Sequence, residues 1–416
     1  MPLTDSQISL VQSSLPVLRS HGPAVTKTFY SLLLNENPSL RNTFNITNQR
    51  TGTQPLALAS VLAAYAEHIT APAALGPAVE SINHRHASLG VTAGQYDVVG
   101  AYLLRAMGEE LGGGFTEGLK GAWAAAYGEL ASMMIAAEGK LYEAAQRQRW
   151  TGSKEGDFRR CKVIEKVHEG GEVVSLRFWP VGWEGSELPT YRPGQYVSVK
   201  VKVEKEGVEQ IRQYTLSDSP EKAKKQGYRI TPKKIGMVSG VLHALEVGDE
   251  VELGFPRGVF FFGEEKELIQ GQKEAPVVLI SAGIGITPMV SILSSLLPGQ
   301  EERDRRISWI HSSRSATDRP FQVLVDGLGK QHPKLRSNVF VTGPIKDEKV
   351  GEELEGRVQL EKLDKDEDLC LGDDKALYFL CGPDKFMGSI AKGLKSLGVS
   401  QERIKAEVFG VGNPTI

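Results

Sequence analysis

The sequence predicts a multidomain fold: an all-α unit, then an antiparallel β-barrel, then an α/β unit built on a parallel sheet. Three observations predict it. At ~150 residues per domain, a chain of 416 residues makes roughly three units. Residues 1 to about 145 are rich in alanine and leucine, with Lys27, Lys120 and Lys140 their only lysines, and from Phe158 the apolar period changes to two. After about Ala275, compact apolar runs alternate with helical segments, which is the pattern of a parallel sheet.

Composition removes several classes of function. A hydrophobic fraction of 40% and a charged fraction of 24% are ordinary globular values, which excludes disorder and fibrous repeats. A net charge of -2 argues against a basic nucleic-acid binder or a membrane-adsorbed surface. The chain has no run of ~20 apolar residues to span a bilayer. Its first ten residues, MPLTDSQISL, match neither a signal nor a transit peptide, so a cytoplasmic protein is expected. Three cysteines (Cys161, Cys370, Cys381) provide neither a disulfide framework nor zinc spacing.

The helical unit is expected over 1–145. Thr4-x-x-Gln7 and Thr92-x-x-Gln95 each precede an amphipathic stretch as capping boxes. Pro23 and Pro55 suit first helical turns, where a missing N–H costs nothing. A last helix is predicted from about Gly121 to Gln146, and polar Gln146–Ser153 reads as a linker. The barrel is expected over 154–265, from Cys161-Val163-Glu165-Val167, Val174-Leu176-Phe178 and Tyr196–Val201 at strand spacing. A charged stretch near Gly263–Ala275 marks the next boundary, and 266–416 forms the α/β unit with strands at Val277–Ile280, Ile307–Ile310, Val339–Val341 and Leu377–Leu380.

Within the helical unit, Val79, Ile82, His86 and Leu89 share one helix face, so His86 points where the apolar residues point, while His84 faces elsewhere. A histidine on an apolar face is either a satisfied core residue or a ligand, and the spacing alone allows both. Tyr96 opens the following helix, and Glu138 lies among Met134, Ile135 and Leu141 in the last one. A carboxylate facing an apolar interior costs several kcal/mol unless paired. Glu138 is therefore either exposed or bonded to a partner such as His86 or Tyr96. A bond to His86 would fix its tautomer and make the other ring nitrogen a stronger metal donor.

In the barrel, Tyr191–Tyr196 (YRPGQY) and Arg212–Asp218 (RQYTLSD) are about one hairpin apart. Arg212 offers paired donors to a pyrophosphate, Tyr214 a flat surface on the same strand face, and Gln213 and Thr215 polar groups beside it. Gly236-Met237-Val238-Ser239 opens a short apolar helix whose first N–H groups suit an anion, which puts Gly236, Val238 and Ser239 at a second phosphate. In the α/β unit the first strand runs into Gly283-Ile284-Gly285-Ile286-Thr287-Pro288. Its glycines let backbone approach phosphate, Thr287 is expected to cap the next helix, and Pro288 suits the first turn. The next strand ends with Ser312 and Arg314 and no acidic residue, which leaves NADH and NADPH both open.

Taken together these motifs resemble a known family. Thr28–Asn45 (TFYSLLLNENPSLRNTFN), Asn48–Leu58 (NQRTGTQPLAL) and His84–Tyr96 (HRHASLGVTAGQY) resemble the globin domain of flavohaemoglobins. The ordered set RxYT, GxVS, GxGxTP resembles the ferredoxin-NADP reductase-like module of the same family. The resemblance implies haem b with His86 as the proximal iron ligand, Tyr96 and Glu138 behind it, and Tyr30, Gln54 and Leu58 lining the distal pocket. It further implies FAD on Tyr191 and Arg212–Thr215, with Cys381, Gly382 and Pro383 lying against the nicotinamide of NAD(P)H. Glu407, Val408, Phe409 and Gly410 match the segment whose aromatic covers the flavin. Arg85 stands where lysine is common, Pro55 follows Gln54, and Val408 and Val411 replace a cysteine and a proline.

The activity so implied is nitric oxide dioxygenation: two NO and two O2 become two nitrate ions at the expense of one NAD(P)H. Azole-type haem ligands are candidate inhibitors, and a monomer is expected. The alternative is an NAD(P)H-dependent flavin or ferric reductase joined to an O2-binding or sensing globin.

Overall fold

The computed structural model describes residues 2–150, 158–185, 187–263, 274–297, 305–315, 319–343 and 354–410. It divides into two compact units: Met1–Arg159 with Ser198–Gln213 and Glu252–Val259, and Arg160–Val197 with Tyr214–Val251 and Phe260–Ile416.

The first unit contains seven α-helices among its described residues: α1 (Asp5–Ser13), α2 (Leu15–Glu36), α3 (Ile46–Arg50), α4 (Thr53–Glu67), α5 (Gly76–Leu89), α6 (Ala93–Leu111) and α7 (Glu117–Arg147). Both expected capping boxes form, at Thr4 and Thr92. Thr116 accepts from the Leu119 N–H at 3.3 Å, so α7 begins before the expected Gly121. It runs into the stretch read as a linker, of which 151–153 lie outside the described residues. Pro55 does occupy the first turn of α4. Pro23 does not begin a helix; it sits inside α2. Next to it, a Cβ on Gly22 would lie 3.3 Å from the Ala59 Cβ, so α2 and α4 pack closely there, and that packing offsets one missing N–H. The helices close over a core that includes Val11, Phe29, Leu33, Leu103, Met107 and Trp123. Each such side chain contributes about 1.5–3 kcal/mol by leaving water.

Six antiparallel strands follow: β1 (Arg159–Gly170), β2 (Val173–Pro180), β3 (Tyr196–Val203), β4 (Val208–Thr215), β5 (Tyr228–Ile230) and β6 (Glu250–Leu253). The neighbours run β4-β3-β6, largely within the first unit, and β1-β2-β5 within the second. Within the second unit, Leu216 bridges Ile230 of β5. The expected alternation along β1 is broken. Its register against β2 shifts between Val163 and Glu165, so Cys161 and Val163 are buried while Glu165 and Val167 are exposed. Two short helices belong to the second unit, α8 (Pro220–Gln226) and α9 (Met237–Ala244).

The remaining strands are β7 (Val277–Ala282), β8 (Ile307–Ser313), β9 (Leu335–Val341), β10 (Leu354–Glu355), β11 (Leu377–Cys381) and β12 (Ile404–Glu407). They form the expected parallel sheet in the order β10-β9-β8-β7-β11-β12, with helices α10 (Ile286–Leu296), α11 (Gln322–Gln331) and α12 (Asp384–Ser396). Separate apolar clusters cover its faces: Val277, Leu279, Trp309 and Phe379 belong to one, Val278, Ile280, Ile310 and Tyr378 to the other. Strand order reverses between β7 and β11, and the crevice outside the carboxyl ends of strands at such a switch point is where α/β sheets bind ligands.

Candidate functional site

The helical unit brings three polar side chains together in an apolar setting. His86, near the end of α5, places Nδ1 2.9 Å from the Tyr96 hydroxyl and 3.0 Å from Glu138 Oε1. Tyr96 donates its hydroxyl to the same carboxylate oxygen at 2.5 Å. Glu138 is 2% exposed, so of its two sequence readings the paired one holds. Burial, and then the bond to Glu138, raise the Tyr96 pKa far above the ordinary range, so the phenol stays a donor. A carboxylate oxygen accepts, so the Nδ1–H of the ring donates to Glu138. Nε2 makes no hydrogen bond among the described residues.

Neighbouring contacts hold the trio in place. Tyr127 donates to the Tyr96 carbonyl at 2.7 Å, and a Cβ at Gly100 would lie 2.5 Å from the Tyr127 ring. Gly90 ends α5 at φ +75, which lets the Val91 N–H return to the His86 carbonyl at 3.1 Å. His84 faces elsewhere, as expected, and its Nδ1 accepts the Gly258 N–H at 3.0 Å.

A second polar pair belongs to α2 and α4. Tyr30 is buried between Phe29 and Phe44, whose rings stand edge-on at 4.8 and 5.5 Å. Gln54 hydrogen-bonds the Tyr30 hydroxyl, while burial pushes that phenol well above its usual pKa. The Pro55 carbonyl accepts the Thr26 hydroxyl at 2.8 Å, which ties the start of α4 to α2. Leu58, one turn past Gln54, packs against the same core.

The residues expected to hold a flavin are spread along β4 and the second unit. The Arg212 guanidinium donates to Asn45 Oδ1 at 2.7 Å, Gln210 Oε1 at 3.1 Å and the Ile211 carbonyl at 2.7 Å. Gln213 donates to Ser88 Oγ on α5 at 3.1 Å. Tyr214 is half-buried and Thr215 buried. Tyr191, placed on the cofactor surface from sequence, is buried, and its hydroxyl donates to the Asp218 carbonyl at 2.7 Å. That carbonyl belongs to a network that sequence reading missed. Ser291 donates to that same carbonyl at 2.8 Å, and the Asp218 carboxylate holds the buried Arg177 at 3.0 Å. At the start of α9, Ser239 Oγ accepts the N–H groups of Ile235 and Gly236 at 3.0 and 2.9 Å. Val238 is buried beneath, and a Cβ on Gly236 would meet nothing within 4 Å.

At the switch point two loops approach closely. A Cβ on Gly285 would lie 2.3 Å from the Cys381 carbonyl oxygen, and one on Gly382 would lie 3.2 Å from the Ala282 Cβ. Helix α10 begins at Ile286, one residue before Thr287, so Thr287 does not cap it; its hydroxyl donates to the Ile284 carbonyl at 3.1 Å. Ile286 and Pro288 are buried in this first turn, and Gly283 turns the chain at φ +56. Ser281, at the end of β7, shares a hydrogen bond of 2.9 Å with His311 Nδ1, and burial pushes the His311 pKa down to about 3. Ser312 is half-buried at the end of β8, and Arg314 beyond it is exposed. Burial raises the Cys381 thiol, with Glu407 adding to the shift, so it is a neutral packed group rather than a thiolate. Pro383 caps α12, Glu407 pairs in register with Cys381, Val408 is half-buried, Phe409 is 48% exposed and Gly410 is exposed. Val411 lies outside the described residues.

Among the described residues no helix is long and apolar enough to cross a membrane, and no group of three or more His, Cys, Asp or Glu could hold a metal ion.

Comparison with known proteins agrees with this arrangement. A globin family model matches residues 27–134, and a model for the oxidoreductase NAD-binding domain matches 279–392. A flavohemoprotein from Bordetella parapertussis is 41% identical over 414 residues, covering 97% of this chain and 98% of its own. The crystal structure of a flavohemoglobin from Malassezia yamatoensis with bound FAD and heme matches with a TM-score of 0.83 at 28% identity, covering 98% of this chain and all (100%) of its own. The FAD/NAD-binding domain of a nitric oxide dioxygenase from Vibrio cholerae matches with a TM-score of 0.52 at 34% identity, covering 61% of this chain and 98% of its own.

Proposed function

The chain belongs to the flavohaemoprotein family, and on that premise we propose that it is an NAD(P)H-dependent nitric oxide dioxygenase. In this reading residues 1–145 are the haem domain, 154–265 the FAD barrel and 266–416 the NAD(P)H domain, joined by a linker at 146–153. The protein acts as a cytoplasmic monomer on NO and O2.

One observation carries the proposal: a buried carboxylate accepts from Nδ1 of a helix-face histidine whose Nε2 makes no hydrogen bond among the described residues. That donor set would suit a haem iron, because imidazole nitrogen ligates haem iron and a carboxylate bonded behind it strengthens its donation. When bound, haem supplies the centre at which O2 and NO combine, and the flavin turns the electron pair of a hydride into single electrons. The chain's own residues do the rest. His86 would ligate through Nε2, with Glu138 accepting the Nδ1–H and Tyr96 holding the carboxylate in place. Tyr30 and Gln54 present neutral donors on the ligand side, and Leu58 keeps water from it. Tyr191, Arg212, Gln213, Tyr214, Thr215, Gly236, Val238 and Ser239 would hold the flavin. Gly283–Pro288 and Cys381–Pro383 receive the nucleotide, Ser312 and Arg314 the adenosine end, and Phe409 covers the flavin.

The test is NAD(P)H oxidation by the purified protein in air, with and without NO. A sharp rise on adding NO, with nitrate as product, supports dioxygenation. Unchanged consumption, with reduction of a soluble dye retained, supports the alternative of a reductase joined to an O2-binding globin.

A further inference from the structure

The hairpin between β3 and β4 makes its most buried polar contact with a segment of the helical domain that includes none of the haem-pocket residues named above. Gln210, on β4, is 0% exposed. Its Nε2 donates to the carbonyls of Arg41 at 2.8 Å, Phe44 at 3.3 Å and Glu209 at 2.9 Å. Its Oε1 accepts from the Ile46 N–H at 3.2 Å and from Arg212 at 3.1 Å. Only this orientation of the amide sets its donors against carbonyls and its acceptor against N–H groups; the flipped one leaves every contact repulsive. Around it, Asn42 accepts the Glu209 N–H at 3.1 Å, Arg212 bonds Asn45 at 2.7 Å, and Arg50 meets Glu206 through both guanidinium nitrogens at 3.1 and 2.8 Å.

The clamped segment, residues 41–46, links a short 3-10 turn (Pro38–Asn42) to α3. With little regular structure of its own, its conformation depends on outside partners for its carbonyls and N–H groups. In its middle, Phe44 sets its ring edge-on to Tyr30 at 5.5 Å. We infer that Gln210 is a positioning residue for the ligand side of the haem pocket: by fixing the backbone at Arg41, Phe44 and Ile46 it holds the ring against which the Tyr30 ring is set. The inference rests on the proposed role of Tyr30 and extends it. A residue of the reductase strand that carries Arg212 thereby tunes how tightly the globin retains O2.

The test uses full-length holoprotein. In Gln210→Ala the Ile46 amide loses its acceptor, and hydrogen exchange of segment 41–46 accelerates while that of α5 and α6 does not. The O2 dissociation rate of the dithionite-reduced protein rises about fivefold, the size expected when one net hydrogen bond is lost. Gln210→Glu keeps an acceptor for Ile46 but loses the donors to Arg41 and Phe44, and is expected to lie between wild type and Gln210→Ala in both readouts. Phe44→Leu reproduces the O2 effect, and combining it with Gln210→Ala adds little more, because both act on one element. Faster exchange with an unchanged O2 rate would reduce Gln210 to an interface contact and overturn the inference. So would full additivity of the two substitutions. Absence of NO-stimulated NAD(P)H oxidation in the wild type would overturn the proposed function instead and leave the exchange result standing.

Discussion

The His86 site and the nucleotide crevice are built in opposite ways. Around His86 the work is done by side chains: three polar groups from α5, α6 and α7 converge within 3.0 Å in an apolar shell. At the switch point the work is done by their absence, because Gly285 and Cys381 approach so closely that a single methyl group has no room. The first kind of site tunes chemistry through charge and tautomer. The second positions a ligand against backbone. A substitution in one should therefore leave the other's readout untouched.

The strongest way to break that comparison is to remove the imidazole. His86→Ala is expected to abolish haem ligation, seen as loss of the Soret band, and with it all NO consumption. NAD(P)H-driven reduction of a soluble dye should continue, and loss of dye reduction would show that the sites are not independent. Next in size is Gly285→Ala. The added Cβ, 2.3 Å from the Cys381 carbonyl, must push the loops apart, and a misplacement of about 1 Å costs about 100-fold in a positioned reaction. Stopped-flow hydride transfer to flavin should slow by that order, with the dithionite-reduced CO spectrum unchanged.

Smaller changes sharpen the contrast. Glu138→Gln retains the shape of the site but replaces the carboxylate behind His86 with an amide. NO turnover is expected to fall about 10- to 100-fold, as is usual when a group supporting a metal ligand is lost. Ligand-side O2 dissociation should move less than turnover, and the reverse result would place Glu138 elsewhere in the scheme. Tyr30→Phe removes one donor, and the O2 dissociation rate should rise about tenfold. Burial raises the Tyr30 pKa, so the wild-type phenol stays protonated and that rate should be flat from about pH 6 to 10. A rise approaching pH 10 would show the hydroxyl ionising in its ordinary range.

Much of the fold was legible because its signals are local. Capping boxes at Thr4 and Thr92, a period of two after Phe158, and an apolar strand running into Gly283–Pro288 each involve residues a few positions apart. The same local reasoning failed where a distant surface intervened. Pro23 lies inside α2 because close packing on α4 offsets its missing bond, and Thr287 lost its capping role because α10 starts one residue early. The bulge in β1, which turns Glu165 and Val167 outward, has no local marker.

The sequence by itself determined which chemical groups were available: an imidazole on an apolar helix face, a carboxylate in an apolar run, glycines after a buried strand. Only the tertiary structure decided how they are used. Glu138 is paired in the interior because a histidine 52 residues earlier reaches it, Tyr191 donates to the Asp218 carbonyl 27 positions on, and Gln210 donates to two carbonyls more than 160 positions away. The physical reason is that periodicity reports which way a side chain points along its own element, whereas the cost of burying a polar group is set by partners that folding alone brings near.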